Sequence, residues 1–321
     1  NFKFSCSNGK ADWPKLQKKI QSEMEKVMEG VPSETISITP TGEDADVVDQ
    51  ESLNMSLENL WKLTLPTSYT IKFSFKVKTS QEQFSNYKNF STVAKRFNLD
   101  YEMISEIPQM NVNPKEIKDC SADEKEVLEE LMTELRKRQD NLGVLSDSNE
   151  ATRSQVIFSI IHNNVYLCRR ILGKSADELN VRFEQYSAGT HGRGPLDLQI
   201  FYKGNVICVT EAKAYDLSGG VAQNLVQLEA VTLENAKRKR KDDTVYGIVT
   251  DATHWLFIAF SANYDIISTS QNIYHISFDK ISTSQETLKN EVCQVFTIIN
   301  ELLCEQITLN DNLEDNNIDS R

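Results

Sequence analysis

Residues 194 to 213, GPLDLQIFYKGNVICVTEAK, restrict the folds open to this chain more than any other stretch. Side chains alternate along a strand, so Ile207, Val209, Glu211 and Lys213 share one face, while Val206, Cys208, Thr210 and Ala212 share the other. Both faces are apolar until the last residues. A strand of that kind is covered above and below, and only its C-terminal tip, carrying Glu211 and Lys213, opens into a pocket. The partner strand brings an aspartate. A three-residue loop, Lys203-Gly204-Asn205, pairs Tyr202 with Val206 and carries Asp197 opposite Glu211. A two-residue loop sends Asp197 to the other face unless a bulge restores the parity.

Two adjacent carboxylates repel and share protons unless a divalent cation neutralises them, and hard oxygen donors of this kind suit Mg²⁺ or Mn²⁺. Asp197 and Glu211 are therefore the candidate metal ligands. Lys213 supplies a point charge able to stabilise a pentacovalent phosphate and to orient or help deprotonate an attacking water. The alternative is a surface ion triad on an edge hairpin; the apolar run VICVT before Glu211 argues against an edge.

The remaining segments supply the covering layers. SADEKEVLEELMTELRKR, residues 121 to 138, opens on a capping box at Ser121 and Glu124 and predicts a helix. A second helix starts around Ser148 and aligns Ile157, Ile160, Ile161 and Val165 as a buried stripe. Strands are expected near 181 to 187, 196 to 202, 206 to 212, 244 to 250 and 254 to 260, with a helix between the third and fourth. A last helix is expected over about 284 to 307. The N-terminal stretch predicts a helix from Pro14 to Glu29, a solvated acidic loop from Glu43 to Glu51 and an alternating strand, YTIKFSFKVK, with lysines on its outer face. The expected division is an α+β region of open role over 1–143, a mixed α/β domain over 144–309, and a polar tail over 310–321.

Composition narrows the function classes. A net charge of -12 disfavours a coat for nucleic acid or anionic membrane, so any nucleic-acid role is local. No uninterrupted apolar run approaches the roughly 20 residues that span a bilayer, and no membrane partner is expected. The six cysteines form no CxxC pair and suit a reduced, intracellular compartment. The four histidines show no ligand spacing with cysteines, and LGKS at 172 to 175 lacks the upstream glycine of a phosphate loop. His191, in GTHGRG, is either a loop residue or a phosphate contact.

Asp197 followed by Glu211-Ala212-Lys213 after a short hairpin resembles the PD-(D/E)XK signature of the restriction-endonuclease-like nuclease superfamily. The next helix, SGGVAQNLVQLEAV, strengthens the resemblance, since RecB-like members carry a glutamine where Gln223 stands; four residues later, where they carry a tyrosine, stands Gln227. The resemblance covers about residues 146 to 262, and the wording there is similar to nuclease-like domains of Crinkler-type effectors of fungi and oomycetes. It implies a central mixed sheet flanked by helices and a Mg²⁺- or Mn²⁺-dependent nuclease acting on nucleic acid, DNA rather than RNA. It also implies a metal-associated acid at Glu150 and a role for Gln223 in positioning Lys213 or phosphate. The competing reading is an inactive module of the same fold that binds nucleic acid or a host protein. The basic run Lys237 to Lys241 suits nuclear import, phosphate contact or simply the helix macrodipole. An effector of this kind is secreted and then delivered into a host cell.

Overall fold

A computed structural model describes residues 12–23, 36–40, 47, 51–53, 75–79, 82–143, 145–213, 216–238, 244–261, 267–278 and 284–318. The chain divides into two compact units, 1–82 and 83–321. In the first, helix α1 (Trp13–Glu23) buries Trp13, Leu16 and Ile20, and strands β1 (Ile36–Pro40) and β2 (Phe75–Thr79) pair antiparallel. The continuation of the expected helix to Glu29, the acidic residues at 43, 44, 46 and 49, and the strand's first residues, 69–74, lie outside the described residues.

The second unit begins sixty residues before the expected boundary at 143. Its reason is packing. Helix α2 (Phe90–Arg96) and its flanks add Phe84, Tyr87, Phe90 and Val93 to one core, and helix α3 (Ala122–Leu142) adds Val127, Leu128, Leu131, Met132 and Leu135 to the other. A periodic apolar stripe shows that a helix packs, but not what it packs on. The expected capping box starts α3: Ser121 Oγ accepts from Glu124 N at 3.2 Å, and a Glu124 carboxylate oxygen accepts from Ser121 N at 2.6 Å.

Helix α4 (Glu150–Leu172) follows, capped by Asn149, whose side chain accepts from Thr152 N at 2.9 Å. A short strand, β3 (Glu82–Gln83), precedes α2, and after α4 come β4 (Leu179–Ala188), β5 (Gly192–Tyr202), β6 (Asn205–Ala212), helix α5 (Leu217–Lys237), β7 (Val245–Thr250), β8 (His254–Phe260) and β9 (Ile267–Ser270). Strand β4 pairs antiparallel with β5, β5 antiparallel with β6, β6 parallel with β7, and β7 antiparallel with β8. This is the expected mixed sheet flanked by helices, with the order helix, three strands, helix, strand. Every residue of β6 after Asn205 is buried, as is all of β7, which accounts for their unbroken apolar runs.

Two cores lie on the two faces of this sheet. α3, α4 and the last helix, α6 (Gln285–Ile318), cover one; α5 and α2 cover the other. α6 has a stretch, Gln285–Leu313, long and apolar enough to cross a membrane, but 67% of its most apolar window is buried within the fold, as in a core helix. It runs through the segment expected as a tail. Asp311 holds it there: its carboxylate accepts from Tyr202 Oη at 2.5 Å, Lys174 Nζ at 2.6 Å and Lys203 Nζ at 3.0 Å.

Candidate active site

The hairpin between β5 and β6 decides the geometry. Its loop has two residues, since Tyr202 pairs with Asn205, and both Lys203 (φ 47°) and Gly204 (φ 81°) are left-handed, as in a type I′ turn. By itself this loop would put Asp197 on the wrong face. The register shifts once: Phe201 pairs with Val206 but Ile200 pairs with Cys208, leaving Ile207 as a bulge. Beyond the bulge Leu198 pairs with Thr210, so the position facing Asp197 is Glu211. The three-residue loop is corrected to two residues plus a bulge, and the parity survives.

Asp197 Oδ2 accepts from Ala212 N at 2.8 Å, which ties it to the tip of β6. Glu211 is only 1% exposed. Burial, followed by the charge of Asp197, pushes Glu211 up to about 7 against the pull of Lys213 and Gln227. Burial likewise raises Asp197, opposed by its bond to Ala212 and by Lys213, with Glu150 and Glu184 adding to the rise. Lys213 Nζ donates to Glu211 Oε1 and, at 2.9 Å, to Gln223 Oε1. Asp197, Glu211, Lys213 and Gln223 therefore meet at one strand tip. Glu150 stands apart on the exposed first turn of α4 and acts on Asp197 through its charge. Among the described residues no three His, Cys, Asp or Glu side chains gather as a metal cage, so the pair Asp197 and Glu211 is the available carboxylate donor set.

Helix α5 holds the arrangement from behind. Asp216 caps it, accepting from Gly219 N at 2.8 Å. Gly220 sits so close to the sheet that a Cβ there would stand 2.6 Å from Val249 Cγ1 and 3.1 Å from Lys213 Cγ. Two turns on, Gln227 Nε2 donates to Glu211 Oε2 at 2.5 Å, while its Oε1 accepts from Asn224 Nδ2 at 3.3 Å. Gln223 and Gln227 thus grip the lysine and the glutamate respectively; the i, i+4 spacing puts both on one helix face, but the contact of Gln227 with Glu211 carried no sequence expectation. The roles of Asn224 and Glu184 carried no sequence signal. Glu184 has φ 48° in mid-strand, between the Phe183–Leu198 and Gln185–Leu196 pairs, and so faces Asp197 across the ladder. His191 lies apart from this tip, its ring 5.2 Å from that of Phe97 and its carbonyl accepting from Tyr87 Oη at 2.6 Å.

No protein-family model matches the chain. It is 34% identical over 199 residues to Crinkler effector protein 1 of Rhizophagus irregularis, a match covering 60% of this chain and 40% of that protein. The chain thus spans about two-fifths of the relative's length. Among solved structures, the type IIG restriction endonuclease BpuSI aligns with a TM-score of 0.33 and 18% identity, covering 50% of this chain and 18% of that one.

Proposed function

We propose that residues 83–321 form a nuclease that hydrolyses phosphodiester bonds of nucleic acid with Mg²⁺ or Mn²⁺, in a protein similar to a Crinkler effector. The observation supporting it is the convergence of Asp197, Glu211 and Lys213 at the tip of a strand covered on both faces. The donor set fits a divalent cation: two carboxylates whose charges oppose each other, one of them protonating near neutrality, gain most from a cation that replaces the proton. Asp197 and Glu211 would hold it, and Glu150, whose charge already acts on Asp197, would complete the acidic set. When bound, it supplies a Lewis acid and a water of lowered pKa.

The chain's own groups do the rest. Lys213 holds its ammonium beside the carboxylates, where a phosphate gathers charge in the transition state. Gln223 fixes that ammonium, and Gln227 fixes the second oxygen of Glu211. DNA is favoured over RNA because the sequence resemblance is to restriction-endonuclease-like enzymes. Delivery into a host cell and entry to its nucleus belong to the same reading, with Lys237 to Lys241 as the import or phosphate-contacting run. Of that run, Lys237 ends α5 and Arg238 Nη1 donates to Gly204 O at 2.8 Å; residues 239–241 lie outside the described residues.

One observation favours the second reading, a binding module without turnover: both Glu211 oxygens already accept from protein donors, Lys213 and Gln227. Incubation with plasmid, linear DNA and RNA in Mg²⁺ or Mn²⁺, beside Asp197→Ala, separates the two. The nuclease reading expects cleavage by the parent chain and none by the variant. Cleavage equal in both refutes this site, and binding without cleavage by either supports the module.

A further inference from the structure

The sheet edge that carries Lys213 continues sideways into two histidines. Lys213 N donates to Thr250 O at 2.8 Å, so Asp251 follows beside Lys213 at the tip of β7. Asp251 N donates to His254 O at 3.3 Å, and His254 in turn pairs with His275 on β10 (Tyr274–His275). Trp255 packs into the core under α4 and α6, and Leu256 into the core under α5. By alternation His254, and with it His275, lies on the α5 face, the face of Glu211 and Lys213.

The pair is built rather than scattered. Asp251 is 6% exposed, and its Oδ1 accepts from Thr253 N, Thr253 Oγ1 and His254 N at 2.9, 2.7 and 2.6 Å. Its Oδ2 lies 3.0 Å from His254 Nδ1. Burial pushes Asp251 up, but the bonds from Thr253 and His254 outweigh it and hold the carboxyl below its usual range, so it faces the ring as an anion. A carboxylate on Nδ1 orients the imidazole and leaves Nε2 as the ring nitrogen free of that contact. His254 keeps 44% of its side chain exposed, and the exposed His275 has its ring 5.0 Å away. Two imidazoles so close repel when both are charged, and an anion placed between them removes the repulsion.

We propose that His254, oriented by Asp251, and His275 form a phosphate-binding subsite that takes a backbone phosphate about three nucleotides along the strand from the one acted on at Lys213. The proposal rests on the nucleic-acid reading above. Two strand spacings, about 10 Å, separate β6 from β8, a distance that three or so nucleotides of one strand cover. His254 and His275 touch no reacting atom, so they set where the strand lies and how tightly it is held.

The test is binding of fluorescent single- and double-stranded DNA and RNA oligonucleotides at pH 6 in EDTA, where no turnover occurs. The expected result is affinity about fivefold weaker in His254→Gln/His275→Gln, with the salt slope of log K reduced by about one. His254→Lys, which restores a charge without an imidazole, should recover most of the loss. A double variant that binds as tightly as the parent chain, or a loss that lysine does not rescue and that tracks a lower Tm, overturns the subsite. Parent chain that binds none of the probes overturns instead the nucleic-acid reading on which the subsite depends.

Discussion

Glu211 carries the most consequential charge in the molecule, because burial and Asp197 both oppose its ionisation and raise it to about 7. An unfolded glutamate releases its proton near 4.3. Below that pH both states hold the proton and the group is neutral in its effect. Between there and 7 the folded state keeps a proton that the unfolded state has lost, so stability falls as pH rises through the window and levels off above it. Glu211→Gln removes this dependence. Relative to the parent chain, its Tm should gain nothing near pH 4.5 and most near pH 8, by the equivalent of at most about 4 kcal/mol. The attraction of Lys213 acts only on ionised Glu211 and is already contained in the raised value, so the pH-dependent part is the diagnostic. A difference in Tm that stays constant from pH 5 to 8 would contradict it. The same proton governs metal binding. Calorimetric Mn²⁺ affinity should rise with pH up to about 7, with close to one proton released per ion at pH 6, and should fall about tenfold or more in Glu211→Gln. Binding that is independent of pH and unchanged in the variant puts any metal elsewhere.

At the scale of the element, α5 is the part that turns a charged strand tip into a fixed constellation, and Gly220 is the point of closest approach. Gly220→Ala gains about 1 kcal/mol of helix propensity but presses a methyl against Val249 and the Lys213 stem, which costs about 1–3 kcal/mol. We expect a net fall in Tm of a few degrees. Because the helix must lift, Gln223 should also leave Lys213, so Mn²⁺ affinity or cleavage should drop more than the stability loss explains. Unchanged Tm would mean that the approach is looser than it looks. The strand positions and the face of Asp197 were legible in the sequence because alternation and a short hairpin leave few registers. The bulge at Ile207 was legible only as one of two ways to save the parity, since no side chain near it differs from an ordinary core residue. Gln223 behind Lys213 followed from resemblance and spacing. Glu184 did not, because its left-handed backbone arises from the ladder it joins, and nothing local requires it.

At the scale of the whole molecule, the sequence misled where the answer lay in long-range packing. A boundary near 143 looked natural, with Gly143 ending one helix and a fresh cap opening the next, yet residues 83–142 complete both cores of the sheet. A chain starting at 144 would expose the apolar side chains of α4 and α6 that α3 covers, and should aggregate, whereas 83–321 should unfold in one cooperative transition. The far end makes the same point with a charge. Residues 310–321 are polar enough to read as a loose tail, but Asp311 ties α6 to Tyr202, Lys174 and Lys203 across the sheet's edge. Burial pushes its carboxyl up, and the bonds from Lys174, Tyr202 and Lys203 more than reverse this, holding it down to about 2. A depressed carboxyl stabilises the fold above its unfolded value near 3.9 and loses that contribution as pH falls towards 2. Asp311→Asn should therefore cost about 2 kcal/mol at pH 7 in chemical denaturation, with the gap to the parent chain closing as pH falls from 4 to 2. Truncation after residue 309 should cost at least as much at pH 7. A truncated chain as stable as the full one would return these residues to the status of a solvated tail.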